Sequence, residues 1–137
     1  MKSKSPSQKK NIIESDLEGS KMIEIKDFQG LEIAFVQKTM NDASEAMDVV
    51  GNASYSGASA VIVKTDQLSS NFFDLKTGLA GEILQKFSNY RLRLAIVGEL
   101  DLTKSSSLRD FVYECNKVGN VIFTSTEAEA IELLKKR

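Results

Sequence analysis

The sequence predicts a single α/β domain: a five-stranded mixed sheet, opened by an N-terminal hairpin and continued by parallel crossovers, with four helices packed on it. Three observations carry this. Short apolar runs alternate with stretches of 3.6-residue periodicity. Each strand–helix–strand unit calls for a right-handed parallel crossover. The 137 residues, 42% apolar and 27% charged, suffice for one hydrophobic core of ordinary size.

The elements follow in order. Residues 22–26 and 31–36 are apolar-rich runs flanking Asp27-Phe28-Gln29-Gly30, where the glycine supplies turn geometry, so a hairpin is expected. Asp42 with Glu45 has the capping-box form, and Ala43, Ala46, Met47, Val50 and Ala53 recur at helical spacing to about Ser54. Ala60-Val61-Ile62-Val63 is a continuous apolar run, as suits a central strand covered on both faces. Leu79, Ala80, Ile83, Leu84 and Phe87 form one face of a helix ending near Asn89, and the run from Leu92 to Val97, stopped by Gly98, is the next buried strand. Ser105, Ser106 and Ser107 offer N-caps to a helix with Leu108, Phe111, Val112 and Cys115 inward, closed by Gly119 before strand Val121-Ile122-Phe123. Thr126 and Glu129 form another capping box. The last helix buries Ala130, Ile131 and Leu134 and ends in cations that suit its negative end. The expected core is Ile33, Phe35, Met47, Val50, Val61, Val63, Leu79, Ile83, Leu94, Ile96, Phe111, Val112, Ile122 and Ile131.

Residues 1–21 read as a mobile polar tail and residues 22–137 as the folded domain. The tail holds the only proline, Pro6, with five Lys, three acidic residues and one short apolar pair, Ile12-Ile13. It contributes almost no apolar surface, so it is expected to be dispensable for folding.

Composition excludes much. A formal net charge of -1 gives no global attraction to nucleic acid or anionic lipid, and neither is expected as a partner. The absence of His removes the usual general base, the Ser-His-Asp and Cys-His arrangements and nearly every common zinc site. One Cys, Cys115, allows neither an intramolecular disulfide nor a thiolate cluster, and fits a reducing, cytoplasmic setting. No apolar run is long enough for a secretory signal or a membrane span. No metal or cofactor is expected.

Chemistry, where present, belongs at the carboxyl ends of the parallel strands, where loops and helix N-termini gather. One candidate edge follows the third strand, from Lys64, Thr65 and Asp66 to Asp74, Lys76, Thr77 and Gly78. The other follows the fourth: Glu99, Asp101, Ser105, Ser107, Arg109 and Asp110. The plainer reading of the latter makes the serines caps, Asp101 a turn residue, and Arg109 with Asp110 a solvated face. Gly78 and Gly81 fall within an apolar helical pattern, where each costs about 1 kcal/mol against Ala. Close packing against the sheet or a partner is therefore expected there. Neither GxGxxG nor GxxxxGK[ST] occurs in that segment, so nucleotide binding has no motif in its favour. The acid pairs Asp74 with Glu82 and Glu99 with Asp101 have no fixed separation that would indicate glycoside chemistry. Cys115, on an apolar stripe, reads as a small hydrophobe. Tyr90, Arg91 and Arg93 read as a solvated sheet edge rather than a phosphate or base site.

The stretch from Phe72 through Thr77-Gly78-Leu79-Ala80-Gly81-Glu82 to Phe87, followed by Asn89-Tyr90-Arg91 and Leu94-Ala95-Ile96-Val97-Gly98, closely resembles a bacterial family catalogued as domain of unknown function 4180. The resemblance runs from about Met22 to Leu134, includes Ser107-Leu108-Arg109-Asp110-Phe111, Glu114 and Asn116, and implies no activity. More distantly, the plan is similar to the STAS domains of sulfate transporters and anti-sigma-factor antagonists. There Thr77-Gly78-Leu79 matches the Ser-Gly-Leu that STAS regulators phosphorylate. Asp74 falls near their acidic position, although Leu75 and Lys76 intervene where the family has one residue. The resemblance implies a non-enzymatic regulatory or protein-interaction module, with Thr77 as phosphosite and a docking surface of Asp74, Lys76, Thr77, Gly78, Gly81 and Glu82. Its partner is expected to be a protein, and a homodimer is compatible. The alternative is a small enzyme or phosphate binder using the edge from Glu99 to Asp110.

Overall fold

A computed structural model describes residues 21–136; the expected tail, Lys21 apart, lies outside them. Strands β1 (Ile23–Phe28), β2 (Leu31–Val36), β3 (Ala60–Lys64), β4 (Arg93–Val97) and β5 (Val121–Thr124) lie in the order β1-β2-β3-β4-β5. The β1–β2 pair is antiparallel and every other pair parallel. Four helices alternate with them: α1 (Ala43–Tyr55), α2 (Leu79–Asn89), α3 (Ser106–Val118) and α4 (Glu127–Lys135). The expected architecture is therefore the observed one, with β3 at the centre of the sheet.

Local chemistry explains the boundaries. Gln29 and Gly30, with φ of 59° and 93°, make the two-residue turn between β1 and β2, the geometry whose twist matches a hairpin. Asp42 accepts from the Glu45 N–H (2.8 Å), while the Glu45 carboxylate accepts from the N–H of Asn41 rather than of Asp42 (2.8 Å). Thr126 and Glu129 repeat this form, Glu129 reaching the N–H of Ser125. Of the three serines, Ser105 is the N-cap of α3, accepting from Leu108 (3.1 Å), and Gly119 closes that helix in the left-handed region. A short helical turn, Ser70–Phe73, and the tight turns Thr65–Gln67 and Leu75–Thr77 add to the expected elements.

Because successive parallel strands are neighbours and crossovers are right-handed, α1, α2 and α3 share one face. Ala34, Val36, Val61, Val63, Leu94 and Ile96 meet α1 and α2 there. Alternation sends Ile33, Phe35, Ala60, Ile62, Ala95, Val97 and Ile122 to the other face, covered by Ala130 and Leu134 of α4. Most expected core residues are buried, whereas Met47, Leu79, Phe111 and Ile131 are half-buried at the margins of the two cores. Phe111 pairs with Phe123 of the edge strand, ring centroids 6.1 Å apart. Ile131 sits on the one helix of its face.

Candidate functional site

Residues 65–78 carry the chain from β3 to α2. Asp74 accepts from the Lys76 N–H (3.3 Å). The Thr77 hydroxyl lies within donating distance of the carbonyls of Asn71 (2.7 Å) and Asp74 (2.9 Å), and accepts from the Leu79 N–H (3.2 Å). Gly78 precedes α2 rather than lying within it. Its φ of +79° needs a residue without a Cβ penalty, which is the physical reason for glycine there. Thr77 accordingly stands before the helix, not in its first turn. Asp74, Lys76, Thr77, Gly78, Gly81 and Glu82 are all exposed. Nothing lies within 4 Å of where a Cβ on Gly78 or Gly81 would stand, so close packing against the sheet accounts for neither.

The second edge is less assembled. A cleft of about 230 Å³ lies between the loop after β4 and the end of β5, bordered by Leu102, Asn116, Phe123 and Thr124. Of the six candidate residues there, only Glu99 lines it. Asp101 accepts from both the N–H (3.0 Å) and the hydroxyl of Thr103, and these bonds hold its exposed carboxyl below the usual carboxylate range. Lys104 lies 3.9 Å from it. Ser105 is occupied as a cap; Ser107, Arg109 and Asp110 are exposed on α3. Half-burial, and secondarily the Glu114 carboxylate, push the Cys115 thiol up, which favours its protonated form.

Several side chains have roles that the sequence reading missed. Arg93 is half-buried, not solvated. Its guanidinium donates to the Gly119 carbonyl (3.0 Å) and the Leu134 carbonyl (3.1 Å), tying β4 to the ends of α3 and α4. Arg91, with φ of +56°, closes α2. Gln67 donates to the Val36 carbonyl and accepts from the Lys64 N–H, both 2.8 Å, bridging the ends of β2 and β3. A cleft of about 330 Å³ on the α4 face, lined by Lys26, Phe35, Lys64, Gln67 and Glu127 among others, contains Lys64 alone of the candidate residues. Besides Lys64, its sequence signal was alternation along β1, which puts Glu24 and Lys26 on the side of Phe35. Among the described residues no three His, Cys, Asp or Glu residues are placed to hold a metal ion, and no helix is long and apolar enough to cross a membrane.

An open mixed α/β sheet with helices on both faces, and an exposed loop-to-helix rim at its carboxyl edge, defines the class of this protein. The chain belongs to the family described as Domain of unknown function (DUF4180), whose pattern matches residues 25–134. No curated protein shows significant similarity to it.

Proposed function

We propose that the protein is a cytoplasmic, non-enzymatic regulatory module of STAS-like plan that docks a protein partner through the surface from Asp74 to Glu82. Gly81 carries this reading. It weakens α2 by about 1 kcal/mol relative to Ala, yet it is exposed and no atom of the described chain approaches the place of its missing Cβ. A partner laid against bare helix backbone gives that residue a use.

Thr77 supplies the switch. Phosphorylation would bring about -1.5 to -2 charges and replace the hydroxyl, with its one donor, by a group that can only accept. The bonds to the carbonyls of Asn71 and Asp74 would then be lost and the turn ahead of α2 would open. Modification therefore acts on the shape of the docking surface as well as on its charge.

The test places a photo-crosslinking residue at Glu82, with Asp110 as the control position, in cells that make the protein. The species captured at residue 82 is purified and its affinity for variants measured. Gly81→Arg should melt higher, by about 1 kcal/mol of helix propensity, and bind at least about tenfold more weakly. Thr77→Ala should lose about 1 kcal/mol of stability with the hydroxyl's turn hydrogen bonds but keep the partner, while Thr77→Glu should bind more weakly. Unchanged affinity of Gly81→Arg contradicts the docking surface; equal binding by the two Thr77 variants contradicts the switch.

A further inference from the structure

The two edges of the sheet are finished differently. At the β5 edge, the side-chain amide of Asn116 occupies the outward backbone of Phe123, accepting from its N–H (2.7 Å) and donating to its carbonyl (3.4 Å). That edge is blocked by the chain's own α3. At the β1 edge no such cover exists among the described residues. The Gln37 N–H donates to the Met22 carbonyl (2.8 Å) and the register pairs Ile23 with Val36. Alternation in an antiparallel ladder then turns the backbone groups of Glu24, Lys26 and Phe28 toward β2, and those of Ile23, Ile25 and Asp27 outward.

We propose that the outer edge of β1 pairs antiparallel with β1 of a second copy of this chain, about a two-fold axis at Ile25, giving a closed dimer with a continuous ten-stranded sheet. Outward backbone groups can pair in only a few registers, and charge selects among them. Centred on Ile25, Glu24 faces Lys26 of the partner and Lys26 faces Glu24 of the partner. Both fall at non-hydrogen-bonded positions, where side chains approach most closely. The neighbouring registers that keep the outward groups paired, centred on Glu24 or on Lys26, set like charges against each other. Glu24 and Lys26 are exposed and have no ion-pair partner among the described residues. On the opposite face, half-buried Ile25 would meet its own copy and be covered.

About six backbone hydrogen bonds would cross the axis. The blocked β5 edge stops further addition, so growth ends at two copies, as an isologous contact requires. The strand is short and the buried area small, so the dimer should be of micromolar affinity. The contact uses none of residues 74–82, and it stands or falls independently of the docking surface.

Sedimentation equilibrium of the full chain tests this. Wild type should show a reversible monomer–dimer equilibrium. Glu24→Lys and Lys26→Glu, each folded by circular dichroism, should weaken the dimer about tenfold or more by setting like charges across the axis. The double charge swap, Glu24→Lys with Lys26→Glu, should restore it. Glu24→Lys retains the Lys26 ammonium over the Phe35 ring, 5.0 Å from its centroid, so its effect does not come through that contact. A wild-type monomer up to about 0.5 mM, or a dimer indifferent to both single reversals, or one not restored by the swap, overturns the proposal.

Discussion

Gly98 shows how closely a single residue is fixed by its neighbours. It ends β4 with φ of +144°, and a Cβ there would run into the side chain of Thr65 in the turn after β3. Backbone and space both demand glycine, so the loops after β3 and β4 meet at this point. Gly98→Ala should destabilise the protein by about 1–3 kcal/mol, read from the midpoint of a urea transition. Adding Thr65→Ala, which removes the colliding atoms, should recover part of the loss; full recovery would mean that the backbone conformation contributes nothing. Thr77 is fixed more softly. The residue is exposed while its hydroxyl holds the turn, the two properties that the proposed switch requires.

At the scale of elements, Arg93 does what no helix cap does alone. Helices α3 and α4 both end near the start of β4, and the forked guanidinium meets a carbonyl at each end, where helix dipoles are negative. Arg93→Lys keeps the charge but cannot span both carbonyls with a planar fork, so it should cost about 1–3 kcal/mol in chemical denaturation. A loss no larger than that of an exposed Arg109→Lys control would contradict this role. Such contacts mark where sequence reading stops. The helices and strands were legible because their signals are local: Asp42 accepts from the Glu45 N–H three residues away, and the apolar run of β2 is visible within six residues. The partners of Arg93 lie 26 and 41 residues along the chain, and the Val36 carbonyl is 31 residues from Gln67. No periodicity encodes those distances. Gly78 was misplaced inside α2 for a related reason: an apolar pattern shows which face is inward, not that a left-handed residue precedes the first turn. The exposure of Asp74, Lys76 and Thr77 was legible from polar residues leading into a helix, whereas the cleft beside Lys26 and Lys64 required the strand order to become visible.

At the scale of the whole molecule, sequential strand order places three helices on one face and leaves the other to α4. The rim at Asp74–Glu82 and the edge strand β1 are then distinct surfaces of one sheet, the first assigned here to a protein partner and the second to another copy of the chain. The rival assignment is a ligand at the loop after β4. Backbone hydrogen exchange of the full chain, alone and with the partner captured at residue 82, separates them. Amides from residue 74 to 82 should exchange more slowly in the complex, with those from 98 to 110 unchanged. Protection confined to 98–110, with 74–82 exchanging as in the free protein, would contradict the assignment.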